Sequence, residues 1–182
     1  MRRIVAPCLL AALLAGPALA APPAEAAAER ARVEALLRAY HATPDRAAFE
    51  AAAAEPAKLL RAIAADPRHF EPARRAAFDA LRAWPDARTE ALYLAHLGPE
   101  QPAGIRHTVL RALPALGDRA LAPLEAALAD PDAELRITAA YALFDLPGDA
   151  ARAALERRAK REPDANARRE MSRLLGQRAI LR

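Results

Sequence analysis

Four segments of the chain carry one pattern in register. Each has a proline in a turn followed by an arginine close to a helix start: Glu71-Pro72-Ala73-Arg74, Gln101-Pro102 before Arg106, Asp130-Pro131 before Arg136, and Glu162-Pro163 before Arg168. The arginines are separated by 32, 30 and 32 residues, and each is followed seven residues later by a leucine: Leu81, Leu113, Leu143 and Leu175. The residue before each arginine (Ala73, Ile105, Leu135, Ala167) and the third after it (Ala77, Val109, Ala139, Met171) are small or apolar. Offsets of −1, +3 and +7 share one face of a helix, so each segment predicts an amphipathic helix with its arginine at the start. A period of this length marks a stacked repeat, in which no single unit can bury its apolar stripe without its neighbours.

Between these helices lie partners of similar length, predicted over 86–97, 118–129 and 149–161, each opened by an aspartate able to cap the first turn. Gly117 and Gly148 stand where the preceding helix must stop, and Trp84-Pro85-Asp86 provides the same break with proline. The unit is helix, turn, helix. Upstream, residues 56–67 echo residues 123–131, so the repeat array is expected to begin by residue 45, after a capping helix over 24–40 and a turn at 41–45. Composition agrees with an all-α chain. There are 53 alanines, whereas Val, Ile and Thr number 12 together and aromatics are 4%, a balance that favours helices and leaves little to cover a pleated sheet. Leu110, Leu113, Leu116, Leu121, Leu124, Leu128, Leu135, Leu143 and Leu146 are assigned to the shared core, and Trp84 to a plug between repeats.

The run Asp130-Pro131-Asp132-Ala133-Glu134-Leu135-Arg136-Ile137-Thr138-Ala139-Ala140-Tyr141-Ala142-Leu143 resembles the turn and second helix of HEAT repeats, in particular those of the phycobilisome-lyase type. The resemblance extends over residues 45–180. It implies a right-handed α-solenoid of about four helix pairs, with the second helices lining a concave face. It also implies a structural ladder in which the turn acids Asp66, Asp130 and Glu162 meet the arginines Arg74, Arg106, Arg136 and Arg168. The third turn, Pro99-Glu100-Gln101-Pro102, lacks the Asp-Pro pair, so its ladder contact is expected to differ.

The N-terminus has the form of an export signal. Met1-Arg2-Arg3 is basic, residues 4–14 are uncharged and mostly apolar, and Ala18-Leu19-Ala20 before Ala21 suits signal peptidase. Cleavage after Ala20 would remove Cys8, the single cysteine, and leave an exported protein with no thiol and no later segment long enough to span a bilayer. The expected organisation is therefore a signal peptide over 1–20, a capping segment over 21–44 and the solenoid over 45–182. Residues 150–182 hold ten Lys or Arg against four Asp or Glu. That basic end is read as a solvated helix surface rather than a nucleic-acid footprint, because export removes the protein from intracellular nucleic acid.

Catalytic readings find little support in the residues. The chain has one serine, and His41, His69, His96 and His107 are followed by Ala, Phe, Leu and Thr, so none forms the His-Glu pair on which HEAT-like metal hydroxylases place iron. No two histidines have the i, i+4 spacing of a helical zinc site. No catalytic residue, metal or cofactor is assigned. On the second helices, offsets of +1 and +5 from each ladder arginine fall away from the apolar stripe and are expected to line the concave surface: Arg75 and Asp79, His107 and Arg111, Ile137 and Tyr141, Arg169 and Arg173. Such a stripe suits an acidic or extended peptide. The expected function is a non-catalytic scaffold for a protein or peptide partner in the cell envelope. A bilin-lyase-like or metal-dependent enzyme and a structural subunit of an envelope assembly are the alternatives.

Overall fold

In the computed structural model, residues 23–38 and 44–180 are described, and their regular structure is helical throughout. The proposed signal segment with its cleavage site and Cys8, the end of the predicted capping segment, and His41 lie outside the described residues. The elements are α1 (Pro23–Leu37), α2 (Arg46–Ala52), α3 (Pro56–Ala65), α4 (Glu71–Ala80), α5 (Ala87–Leu94), α6 (Ala103–Ala112), α7 (Leu121–Ala127), α8 (Ala133–Asp145), α9 (Asp149–Ala159) and α10 (Ala165–Ile180). From α3 onward they form four successive pairs. The second members, α4, α6, α8 and α10, pack side by side as one continuous layer, whereas the first members, α3, α5, α7 and α9, touch one another far less. A stack that is tighter on one side curves toward that side, so the second helices form the inner, concave layer of an α-solenoid.

At the N-terminal end, α1 lies across α2, α3 and α4 and closes the stack. Val33 from α1 and Phe49 from α2 are both buried there. Trp84 packs edge-on against Phe49 at 6.2 Å between ring centroids, with the Arg46 guanidinium 5.3 Å from its own ring. It thus joins the end of the first pair to the cap. Buried alanines, among them Ala112, Ala139, Ala140 and Ala142, allow α6 and α8 to approach closely. The leucines assigned to the core are buried, apart from Leu121, which is only partly covered.

Helix boundaries follow local chemistry and differ from expectation at two of the first helices. Asp45, Asp86 and Asp132 each accept a backbone N–H at the start of α2, α5 and α8. Asp118 does not open α7. A tight helical turn over 113–120, kinked at Gly117 (φ 62°, ψ −136°), precedes it, and the α-helix begins at Leu121 with no side-chain cap. Two prolines account for this: Pro114 and Pro123 lack the N–H groups that a continuous α-helix would need. At α9 the cap position belongs to Gly148, whose φ of 95° only glycine adopts without strain, and Asp149 becomes the first helical residue, where its charge favours the helix dipole.

Candidate functional site

The four repeat arginines share one task. Each lies on a second helix and donates to carbonyls at or just beyond the end of the first helix of its own pair. Arg74 Nε reaches Ala64 O (3.0 Å) and Arg106 Nε reaches Leu97 O (2.9 Å). A terminal nitrogen of Arg136 reaches Asp130 O and Pro131 O (2.9 Å each), and one of Arg168 reaches Glu162 O (2.8 Å). Ala64 O is one of the carbonyls that a helix end leaves without an internal partner, and the others belong to the turn that follows the first helix. Two arginines also bridge to the next repeat: Arg106 to the Asp130 carboxylate, and Arg136 to both oxygens of Glu162, at 3.0 Å from Nε and 2.6 Å from the terminal nitrogen. Burial works to raise the Glu162 pKa. The hydrogen bonds from Arg136, the Asp164 N–H and Arg158 outweigh it and hold the carboxyl at about 2.

The other ladder positions behave differently. Among the described residues Asp66 receives no guanidinium; its carboxylate accepts the Arg68 N–H within its own turn, and the sequence has no arginine one repeat upstream at 40–42. Among the described residues Arg74 has no acid partner, and Glu100 of the third turn accepts from Gln101 instead. Arg168 belongs to the last pair, and its guanidinium has no carboxylate partner among the described residues.

A second ion-pair series, not anticipated from the sequence, joins first helices across repeats. Arg61 meets Asp86 at 3.1 Å, Arg119 meets Glu90 at 2.6 Å, and Arg157 meets Glu125 at 3.0 Å. Opposite charges one repeat apart are the signal that would have revealed it.

On the inner layer the stripe residues divide into three groups. Ile137 is not on the surface: it is 8% exposed and joins the core cluster, because α8 is flanked on both sides by α6 and α10. Near the C-terminal end, Tyr141 donates to Glu170 (2.9 Å), and Arg173 donates to the same carboxylate (3.0 Å) and to the Tyr141 oxygen. These bonds, led by that from Tyr141, hold the Glu170 carboxyl below its ordinary value. Arg169 donates to Asn166 (3.0 Å). In the middle, His107 Nδ1 lies 2.8 Å from the Thr138 hydroxyl. Thr138 already donates to Glu134 O, so the imidazole is the donor. Burial lowers the His107 pKa, and the Asp132 charge opposes that only in part.

Toward the N-terminal end, α4 and α6 border an open groove of about 400 Å³ lined by Pro72, Arg75, Asp79, Arg82, Thr108 and Arg111. Arg75 and Arg111 are exposed and have no carboxylate partner among the described residues. Asp79 is 3.5 Å from Arg82. Among the described residues, no three His, Cys, Asp or Glu side chains converge as a metal set, and no helix is long and apolar enough to cross a membrane.

The fold and its inner layer define a helical repeat protein. Residues 94–176 match the family model of HEAT repeats. No curated protein matches it. HEAT repeats generally serve as protein-interaction scaffolds and are typically non-catalytic.

Proposed function

We propose that the chain is a non-catalytic scaffold that holds an acidic, extended segment of a partner protein on its concave face. The observation that carries this is the charge distribution along the inner layer: Glu170 already engages Arg173 near one end, while Arg75 and Arg111 at the other end are exposed and have no ion-pair partner among the described residues, in a groove that Asp79 shares and Glu71 borders. Arginine offers a planar fork to carboxylates, and in the groove lining Arg75, Arg82 and Arg111 outnumber Asp79, which leaves it net positive and attractive to anions. The basic, apolar and small-residue order of residues 1–21 supports export before binding, so the partner would be a protein of the cell envelope or medium.

Site-specific photo-crosslinking tests the face. A photoreactive residue replacing Glu134, on the inner layer, should give adducts that map to acidic segments of a partner, and one replacing Ala122, on α7, should not. Adducts formed only from the Ala122 position would contradict the proposal. The intact mass of the exported protein tests the location: it should correspond to a chain beginning at Ala21, and an uncleaved chain would contradict export.

A further inference from the structure

Four arginines were expected on the inner layer, and the structure separates them by what their guanidinium groups already hold. Arg173 spends Nε on Glu170 and a terminal nitrogen on Tyr141, and Arg169 is turned to Asn166. Arg75 differs in kind. Its one hydrogen bond runs from Nε to the Thr108 hydroxyl (3.2 Å), and Thr108 is 2% exposed and donates in turn to Gly104 O (2.9 Å). The hydroxyl is therefore fixed, and it fixes the guanidinium plane; among the described residues neither terminal nitrogen makes a hydrogen bond, although Nη1 and Glu71 Oε1 both lie within 3.6 Å of the point above Gly104 where a Cβ would stand. Arg111, one turn further along α6, borders the same groove.

We propose that this groove is a carboxylate clamp, in which Arg75, positioned by Thr108, and Arg111 grip the side-chain carboxylate of an acidic residue in the partner peptide. The inference rests on the concave-face reading above and names its anchor. The same molecule shows what such a grip looks like, since Arg136 holds Glu162 by two parallel bonds. There Nε and one terminal nitrogen are used. At Arg75, where Nε is occupied, the two terminal nitrogens form the fork end-on. Holding the donor in place beforehand removes part of the ordering cost that a free arginine would incur on binding.

The groove holds acids as well as arginines. Asp79 stands within it, beside Arg82, and Glu71 lies over Gly104, its Oε1 2.6 Å from where a Cβ on that glycine would be. These carboxylates offset part of the arginine charge, and a phosphate dianion would double the attraction and the repulsion alike, so charge alone does not choose between the anions. The groove is open along the inner layer rather than closed, which favours an aspartate or glutamate side chain presented by an extended peptide.

The test is fluorescence anisotropy with the full-length protein and a labelled Gly-Ser peptide carrying two glutamates, against a matched peptide with glutamines. The glutamate peptide should bind at least about tenfold more tightly, and Arg75→Gln and Arg111→Gln should each weaken it by about tenfold, the usual loss for one charge-assisted contact. Arg75→Lys should rescue little, since an ammonium makes no fork. Thr108→Val should weaken binding with helical circular dichroism unchanged, and Thr108→Ser should restore it, an outcome that a purely structural role for the hydroxyl would not give. Arg169→Gln with Arg173→Gln should stay within about twofold. Equal binding of both peptides, no binding of either, or competition by inorganic phosphate at the same concentration as acetate would overturn the clamp. Loss of binding in the Arg169/Arg173 variant with Arg75→Gln unaffected would also overturn it, while leaving the concave-face reading intact.

Discussion

Arg136 and Glu162 are joined by two hydrogen bonds across adjacent repeats, and both side chains are almost wholly out of solvent, at 7% and 0% exposed. Arg158 adds a third contact to the same carboxylate at 2.6 Å. The pair fastens the third pair of helices to the fourth. Because both charges are buried, removing one leaves the other uncompensated.

Glu162→Gln should therefore destabilise the protein by about 3–5 kcal/mol, the usual range for breaking a buried pair on one side. Acid titration gives an independent reading. The Glu162 carboxyl falls from an ordinary 4.5 to about 2 in the folded chain. The folded state then binds fewer protons than the unfolded one between those values, so the stabilisation is complete above about pH 4.5 and is lost as pH falls toward 2. Urea melts across that window should show a smaller acid-induced loss in Glu162→Gln than in the wild type.

Packing should dominate stability on the inner layer, and its exposed charges should not. Leu143 is fully buried, so Leu143→Ala leaves a cavity and should cost about 2–5 kcal/mol. Arg111 is exposed, and Arg111→Ala should stay within about 0.5 kcal/mol. Chemical denaturation of the two variants checks the order, and the reverse order would mean that the helix faces are misassigned.

Gly176 sits inside α10, exposed, with open space where a Cβ would go. Gly176→Ala should raise stability by about 0.5–1 kcal/mol by reducing the freedom of the unfolded chain and the cost of the helix. Thermal unfolding followed at 222 nm measures it. A loss of stability would show that this face of α10 is packed against something that tolerates no methyl group.

The repeat period, the pairing of helices and the core leucines were legible because stacking forces the same apolar offsets to recur in every unit. Ile137 was not. Its +1 offset pointed to the surface by helical angle alone, whereas a central helix has neighbours on two sides and buries a wider arc than a terminal one. Asp118 misled for a different reason: an aspartate after a glycine has the local form of a helix start, but Pro114 and Pro123 reshape the backbone around it. The arginines gave their positions, and the resemblance named the ladder acids Asp66, Asp130 and Glu162 without saying which arginine each would meet. Whether Arg106 finds Asp130, or Arg75 leans on Thr108 instead of an acid, depends on contacts one repeat away that the spacing within a unit does not encode.

The central claim is that the inner layer near α4 and α6 receives an acidic partner segment. Backbone and side-chain NMR shifts of the full-length protein, followed as a glutamate-bearing peptide is added, test it most directly. Arg75, Thr108 and Arg111 should move together in a saturable way that weakens as salt rises, because exposed ion pairs are screened over a Debye length of about 8 Å at physiological ionic strength. Residues of α5, α7 and α9 should stay in place. Shifts confined to those first helices, with α4 and α6 unmoved, would contradict the account.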